Sequence, residues 1–156
     1  MDAKLKSDFE GLVRAHKSTI YSVCYMFADS RATADDLFQE TLINLWNGFG
    51  DFRGESALRT WVYRVSMNTC ISYTRKKHVD TVPLDISIDL AGDSTEETRQ
   101  TALLHERISR LEPVDRAIVL LWLENLPYAE IASIIGITTR ALSVRLVRIK
   151  EKLKNM

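Results

Sequence analysis

Tyr128-Ala129-Glu130-Ile131-Ala132-Ser133-Ile134-Ile135-Gly136-Ile137-Thr138-Thr139-Arg140-Ala141-Leu142-Ser143-Val144-Arg145-Leu146 carries the strongest local signal in the chain. It reads as two short helices around a tight turn, a helix-turn-helix. Ala132 is small enough for a second helix to cross closely. Gly136 permits the positive φ that such a turn requires. Thr138 or Thr139 supplies an N-cap for the second helix, and Ile131, Ile135, Ile137 and Leu142 form a shared core. A unit of this kind lays its second helix in the major groove, with the helix N-terminus near base edges. Arg145, Arg148, Lys150, Lys152 and Lys154 then meet phosphate oxygens or guanine edges.

Working outward, the pattern stays helical. Leu126-Pro127 opens the first helix of that motif, and Pro113 fits the first turn of a helix running to Glu124. Ser94 and Glu97 form a capping box for a helix to about Leu111. Near the N-terminus, Phe9, Leu12, Val13, His16, Ile20, Val23, Cys24 and Phe27 recur at helical spacing, which predicts a helix over 7–28. Thr33 is the expected cap of the next helix. Its stripe is Ala34, Leu37, Phe38, Thr41, Leu42 and Leu45, and Gly48 and Gly50 end it. Ser56 caps a third helix to about Lys77, with Leu58, Trp61, Val62 and Val65 on its buried side. Between His78 and Asp93 periodicity is lost, and a lone strand there would have no partner. The expectation is an all-α chain of two small domains, 1–77 with three helices and 94–156 with four, joined by an extended linker over 78–93.

Charge supports that division. The chain has 156 residues and no net charge, 21 basic against 21 acidic. The balance hides segregation: Arg59–Lys77 carries +5, Val79–Glu97 carries −6, and Thr138–Met156 carries +5. Two basic helices separated by an acidic strap suit two contacts with an anionic polymer. On the third helix, Trp61, Tyr63 and Tyr73 interleave with Arg64, Asn68, Arg75, Lys76 and Lys77. That mixture suits stacking on unpaired strands, although Trp61 by its spacing belongs to the core. On the second helix, Asp36, Gln39 and Glu40 share the face opposite Leu37 and Phe38, a polar and acidic patch suited to a basic protein surface.

Taken together, Asp36-Leu37-Phe38-Gln39-Glu40, Trp46, Phe52-Arg53-Gly54-Glu55-Ser56-Ala57-Leu58-Arg59-Thr60-Trp61, Asn68 and Arg75 resemble the sigma-two domain of extracytoplasmic-function sigma factors. Residues 127–153 resemble the sigma-four domain. The resemblance spans essentially the whole chain except the linker, and implies roles by position. Asp36, Gln39, Glu40 and Asn47 would grip core RNA polymerase, whose beta-prime and beta subunits are the implied partners. Arg53, Glu55 and Ser56 would lie in the loop that captures a flipped base of the minus-ten element. Arg64, Asn68, Ser72, Arg75 and Lys76 would face the melted strand. Thr139, Arg140, Ser143, Val144, Arg145, Val147 and Arg148 would read the minus-thirty-five element. An anti-sigma protein is a further implied partner. Two departures stand out: Ser72 occupies a position where the family commonly has an acid, and Ser143 one where it commonly has a base.

The linker is long enough for such a role. The 16 residues of 78–93 reach up to ~58 Å when extended, and sites one and a half to two DNA turns apart lie roughly 50–70 Å from each other. Other function classes fare worse. His16, His78 and His105 are scattered, and neither metal-ligand spacing, nor a nucleophile elbow, nor a phosphate-cradling glycine loop occurs, so catalysis, cofactors and metals are not expected. Cys24 and Cys70 sit in apolar helical contexts without C-x-x-C spacing and read as buried free thiols in a reducing compartment. The N-terminus leads into an amphipathic stretch rather than a signal peptide, and no apolar run is long enough to span a bilayer; the expected location is the cytoplasm, without membrane insertion. The alternative is a stand-alone helix-turn-helix regulator. It would leave the basic third helix and the Asp36, Gln39 and Glu40 patch without a task.

Overall fold

A computed structural model describes residues 2–52, 54, 57–77 and 96–156. Its helices are α1 (Asp2–Phe27), α2 (Arg31–Phe49), α3 (Leu58–Lys77), α4 (Glu96–Ser109), α5 (Pro113–Leu123), α6 (Tyr128–Ile135) and α7 (Thr139–Lys154). No strand occurs among the described residues. The chain divides into two compact units, 1–79 and 80–156. The linker expected over 78–93, Ser94 of the expected capping box, and the Ser56 cap lie outside the described residues.

In the first unit each of α1, α2 and α3 packs against the other two. The seam is apolar: Leu12, Ile20, Val23, Cys24 and Phe27 from α1, Ala34, Leu37 and Leu45 from α2, and Val62, Met67 and Cys70 from α3 are all buried. Each large side chain so placed contributes about 2 kcal/mol of transfer free energy. Hydroxyls enter this core with little penalty where each bonds its own helix. Thr41 Oγ1 donates to the Leu37 carbonyl at 2.7 Å, and Ser66 Oγ to that of Val62 at 2.8 Å. Cys24 Sγ lies 3.7 Å from Thr41 Oγ1. Hydrogen bonding with Cys70, and with Thr41, lowers the Cys24 thiol from its ordinary value despite burial.

Several expected boundaries move. α1 begins at Asp2, five residues before the expected start at residue 7. The cap of α2 is Ser30 rather than Thr33. Ser30 is extended (φ −155°, ψ 166°), and its Oγ accepts the Thr33 N–H at 3.1 Å. The Thr33 hydroxyl instead donates to Asp29 Oδ1 at 2.6 Å, so the two residues divide the capping work. Gly50 is the C-cap of α2, as expected, and Gly48 is the last helical residue but one. A Cβ there would meet Trp61 at 3.3 Å, so the glycine serves the close approach of α2 to α3. Leu58, expected on the buried side, is exposed, whereas Tyr63 is core.

The second unit is organised around α5, whose residues Asp115 to Leu121 are all buried; α4, α6 and α7 each pack on it. Arg116 reaches back from α5 to donate to the carbonyls of Ser109 and Leu111, at 2.7 and 3.2 Å, where the chain leaves α4. The Ser109 carbonyl is an orphan acceptor of the α4 end and that of Leu111 lies in the turn beyond it, and a buried guanidinium satisfies both. The helix-turn-helix has the anticipated turn: Gly136 has φ +88°, and its N–H donates to the Ala132 carbonyl at 2.8 Å. Of the two candidate caps it is Thr138 that works, its Oγ1 accepting the Ala141 N–H at 3.1 Å. Ile131 and Leu142 are fully buried in the shared core; Ile135 and Ile137 are half-buried at its edge.

Candidate functional site

The first unit places its polar residues along α2 and α3. Asp36, Gln39, Glu40 and Asn47 are exposed on α2. Among the described residues, Asp36, Gln39 and Glu40 have no hydrogen-bond or ion-pair partner. Asn68, Ser72, Arg75 and Lys76 are exposed on α3, and Arg64 is half-buried. Sequence reading treats these as two separate faces. The fold brings part of each onto one groove of about 620 Å³, lined by Asp36, Glu40 and Asn44 from α2 and by Asn68, Ser72 and Lys76 from α3. Asn44 Nδ2 donates to Thr69 Oγ1 at 2.9 Å and fixes the floor of this groove. Carboxylates thus line one wall and an ammonium and two neutral polar side chains the other.

Beside the groove, α2 carries a second stripe that sequence reading missed in part. Ile43 and Trp46 are both exposed there, one and two turns beyond Gln39. Trp46 is held in place by Phe9, whose ring centre lies 5.1 Å away in an edge-on arrangement. The missed signal was Ile43 itself, an apolar residue off the buried stripe. Arg53, Glu55 and Ser56 lie outside the described residues.

In the second unit, α7 carries the candidate DNA-reading residues. Thr139, Arg140, Val144, Val147 and Arg148 are exposed, Val144 at 50% and Val147 at 64%. Ser143 is half-buried and its hydroxyl donates to the Thr139 carbonyl at 3.1 Å. The cations of α7 fall into two groups. Arg145 Nε donates to Asp115 Oδ1 at 2.6 Å, Lys152 Nζ lies 3.8 Å from Asp115 Oδ2, and Lys150 Nζ sits 4.5 Å above the centre of the Trp122 ring. Arg140 and Arg148 have no such partner among the described residues. Arg145 is therefore not the freely solvated base that its sequence position suggests. Asp115, the residue that binds it, was not singled out from the sequence, because nothing local marks a carboxylate as the partner of an arginine 30 positions later.

Comparison with known proteins assigns both units. Residues 12–79 match the family described as Sigma-70 region 2, and residues 101–153 match Sigma-70, region 4. The chain is 28% identical over 166 residues to the ECF RNA polymerase sigma-E factor of Haemophilus influenzae, covering 96% of this chain and 87% of that protein. It belongs to the extracytoplasmic-function sigma factors. A second relative, the ECF RNA polymerase sigma factor SigG of Mycobacterium tuberculosis, is 27% identical over 146 residues; the match takes in 92% of this chain but spans only 40% of SigG. Among solved structures, the sigma factor RpoE of Bartonella quintana, in complex with the anti-sigma factor NepR, superposes with a TM-score of 0.76 at 19% identity, covering 95% of each chain. CnrH, in complex with the cytosolic domain of CnrY, gives 0.71 at 20% identity, covering 96% of this chain and 87% of that one. The structural likenesses speak to fold, and the sequence matches assign most of α1, with α2 and α3, to region 2 and most of α4–α7 to region 4.

No helix among the described residues is long and apolar enough to cross a membrane, and none of their histidines, cysteines and acids cluster as a metal site.

Proposed function

We propose that this chain binds core RNA polymerase, carries it to specific promoters and helps to open the DNA there, catalysing nothing itself. The observation that carries the proposal is the exposed Asp36, Gln39 and Glu40 face, unused by its own unit, in one chain with a helix-turn-helix. A protein that needed only duplex DNA would have no use for that face.

Each surface has a part under this reading. Asp36, Gln39, Glu40 and Asn47 dock on polymerase, and the neighbouring Ile43 and Trp46 add apolar area at the same place. Arg64, Asn68, Ser72, Arg75 and Lys76 face the separated strand, with Arg53, Glu55 and Ser56 completing the minus-ten contact. Asp36 and Lys76 line a single groove. Docking there brings polymerase to the edge of the strand-binding surface, which couples recruitment to melting. Thr139, Arg140, Ser143, Val144, Arg145, Val147 and Arg148 face the minus-thirty-five element. Exposed Val144 and Val147 suit thymine methyl groups, and Arg140 and Arg148 suit phosphates. Zero net charge keeps the free chain from condensing on DNA without polymerase.

The chain acts in the cytoplasm, where polymerase is, and is held inactive by an anti-sigma protein, as the NepR and CnrY complexes of its structural neighbours suggest. Run-off transcription with purified core polymerase on genomic DNA tests the proposal. Discrete transcripts that depend on the added chain are the expected result. A chain that shifts duplex DNA alone and gives no polymerase-dependent transcript would instead be a stand-alone regulator.

A further inference from the structure

Arg145 presents an unusual combination: it lies on the reading helix, yet its guanidinium is already engaged. Its Nε donates to Asp115 Oδ1 at 2.6 Å, and the side chains are 37% and 6% exposed respectively. The carboxylate belongs to the first turn of α5, the helix that forms the centre of the unit. Its position is therefore set by the core and not by α7. With Nε occupied, the edge of the guanidinium that remains is the one carrying the two terminal nitrogens. That edge is a planar fork of N–H donors, the shape that matches O6 and N7 of a guanine.

An arginine on a reading helix ordinarily loses much of its rotamer freedom when it meets a base. Arg145 has lost part of it beforehand, to a buried partner. Arg140 and Arg148 line the same cavity of about 550 Å³ without partners of their own among the described residues. Mobile, unpaired cations suit phosphates, which sit at every step of DNA; a cation fixed in direction suits one base. We propose that Asp115 is a positioning residue that aims Arg145 at a guanine in the major groove. Sequence preference in the minus-thirty-five contact then depends on a carboxylate that does not itself touch DNA. The competing account is a staple between α5 and α7 with no bearing on which base is read.

This inference rests on the sigma reading, and the test separates the two. The full chain is mixed with core polymerase and a duplex pool randomised over ten base pairs upstream of a premelted bubble. Bound DNA is then selected and sequenced. The unaltered chain enriches a motif with guanine at one fixed position. Asp115→Leu, which removes the acceptor, lowers the preference for that guanine by about tenfold, within the range of one bidentate base contact, and leaves the other positions alone. Asp115→Asn, which keeps a neutral acceptor and the side-chain size, gives an intermediate loss. Arg145→Ala erases preference at the same position, and combining it with Asp115→Leu removes no more. If the variants enrich the unaltered motif undiminished, or lose preference evenly at every position, the pair is a staple and the inference is overturned. If the unaltered chain with polymerase enriches nothing, the sigma reading fails and takes the inference with it.

Discussion

The two units arrange their exposed polar residues in opposite ways. In the first, α1–α3 close an apolar core, and the Asp36, Gln39 and Glu40 face stands outside it without partners among the described residues. In the second, the reading helix is woven into the packing: Arg145 and Lys152 meet a buried carboxylate on α5, and Lys150 lies over Trp122. A surface kept apart from the core is free to change its partner without loss of stability. One built from core contacts holds its geometry more firmly, and couples any change in recognition to a change in fold. Docking on a large protein can use the first design, in which a few exposed side chains carry most of the binding energy. Base reading favours the second, since a small misplacement of one donor forfeits the bond.

The largest effect is expected in the core of the first unit. Leu45 is fully buried on α2. Leu45→Ala should cost about 2–5 kcal/mol, the usual range for a leucine truncated in a tight interior. Hydrogen exchange followed by mass spectrometry should show α1–α3 exchanging faster while α4–α7 keep their protection. Equal loss in both units would mean that they are one cooperative body.

Next in size is the docking face. Replacing Asp36 and Glu40 together by lysine puts like charges against a basic partner, a juxtaposition that costs several kcal/mol. Association with core polymerase, followed by fluorescence anisotropy of a labelled chain, should weaken by at least about 100-fold. The melting temperature should stay within a degree or two, because surface changes away from packed features rarely alter stability by more than about 0.5 kcal/mol. A large drop in melting temperature would show that this face is not independent of the core.

The turn of the second unit offers a smaller and coupled effect. Gly136 sits at φ +88°, with open space around the position a Cβ would take. Gly136→Ala therefore costs only the backbone penalty, about 1–2 kcal/mol. Because the same turn sets how α7 leaves α6, promoter binding should fall together with melting temperature. Loss of stability with DNA binding intact would argue that recognition is less embedded in the packing than the ion pairs suggest.

How much of this could be read in advance follows the distance between partners. Gly136, Thr138 and Pro113 each act within one turn of themselves, and their roles were visible in the sequence. The cap of α2 was also a local matter, but Thr33 was chemically fit for it, and only the extended backbone three positions earlier assigns the cap to Ser30. Leu58 is exposed where burial was expected, and Tyr63, which could have been either, is core, because periodicity gives a face but not which neighbour covers it. The groove joining Asp36 and Glu40 to Asn68 and Ser72, and the pairing of Asp115 with Arg145, depend on which helices lie side by side. No spacing within one helix encodes that.

The smallest effect separates cations that share one helix. Lys150 faces the Trp122 ring, an interaction worth about 0.5–1 kcal/mol at an exposed site. Arg148, two positions earlier, has no partner among the described residues. If α7 divides its charges between packing and phosphate, the two should respond differently to salt. For every phosphate that a variant no longer meets, the slope of log affinity against log salt becomes shallower by about 0.9 on duplex DNA. Arg148→Gln should reduce the slope measured for the polymerase complex by about that amount and leave the melting temperature unchanged. Lys150→Gln should leave the slope alone and lower the stability of the second unit by a few tenths of a kcal/mol up to about 1. The reverse result would mean that the tryptophan contact yields to DNA when DNA arrives. The reading helix would then be no more committed to its own core than the face on α2.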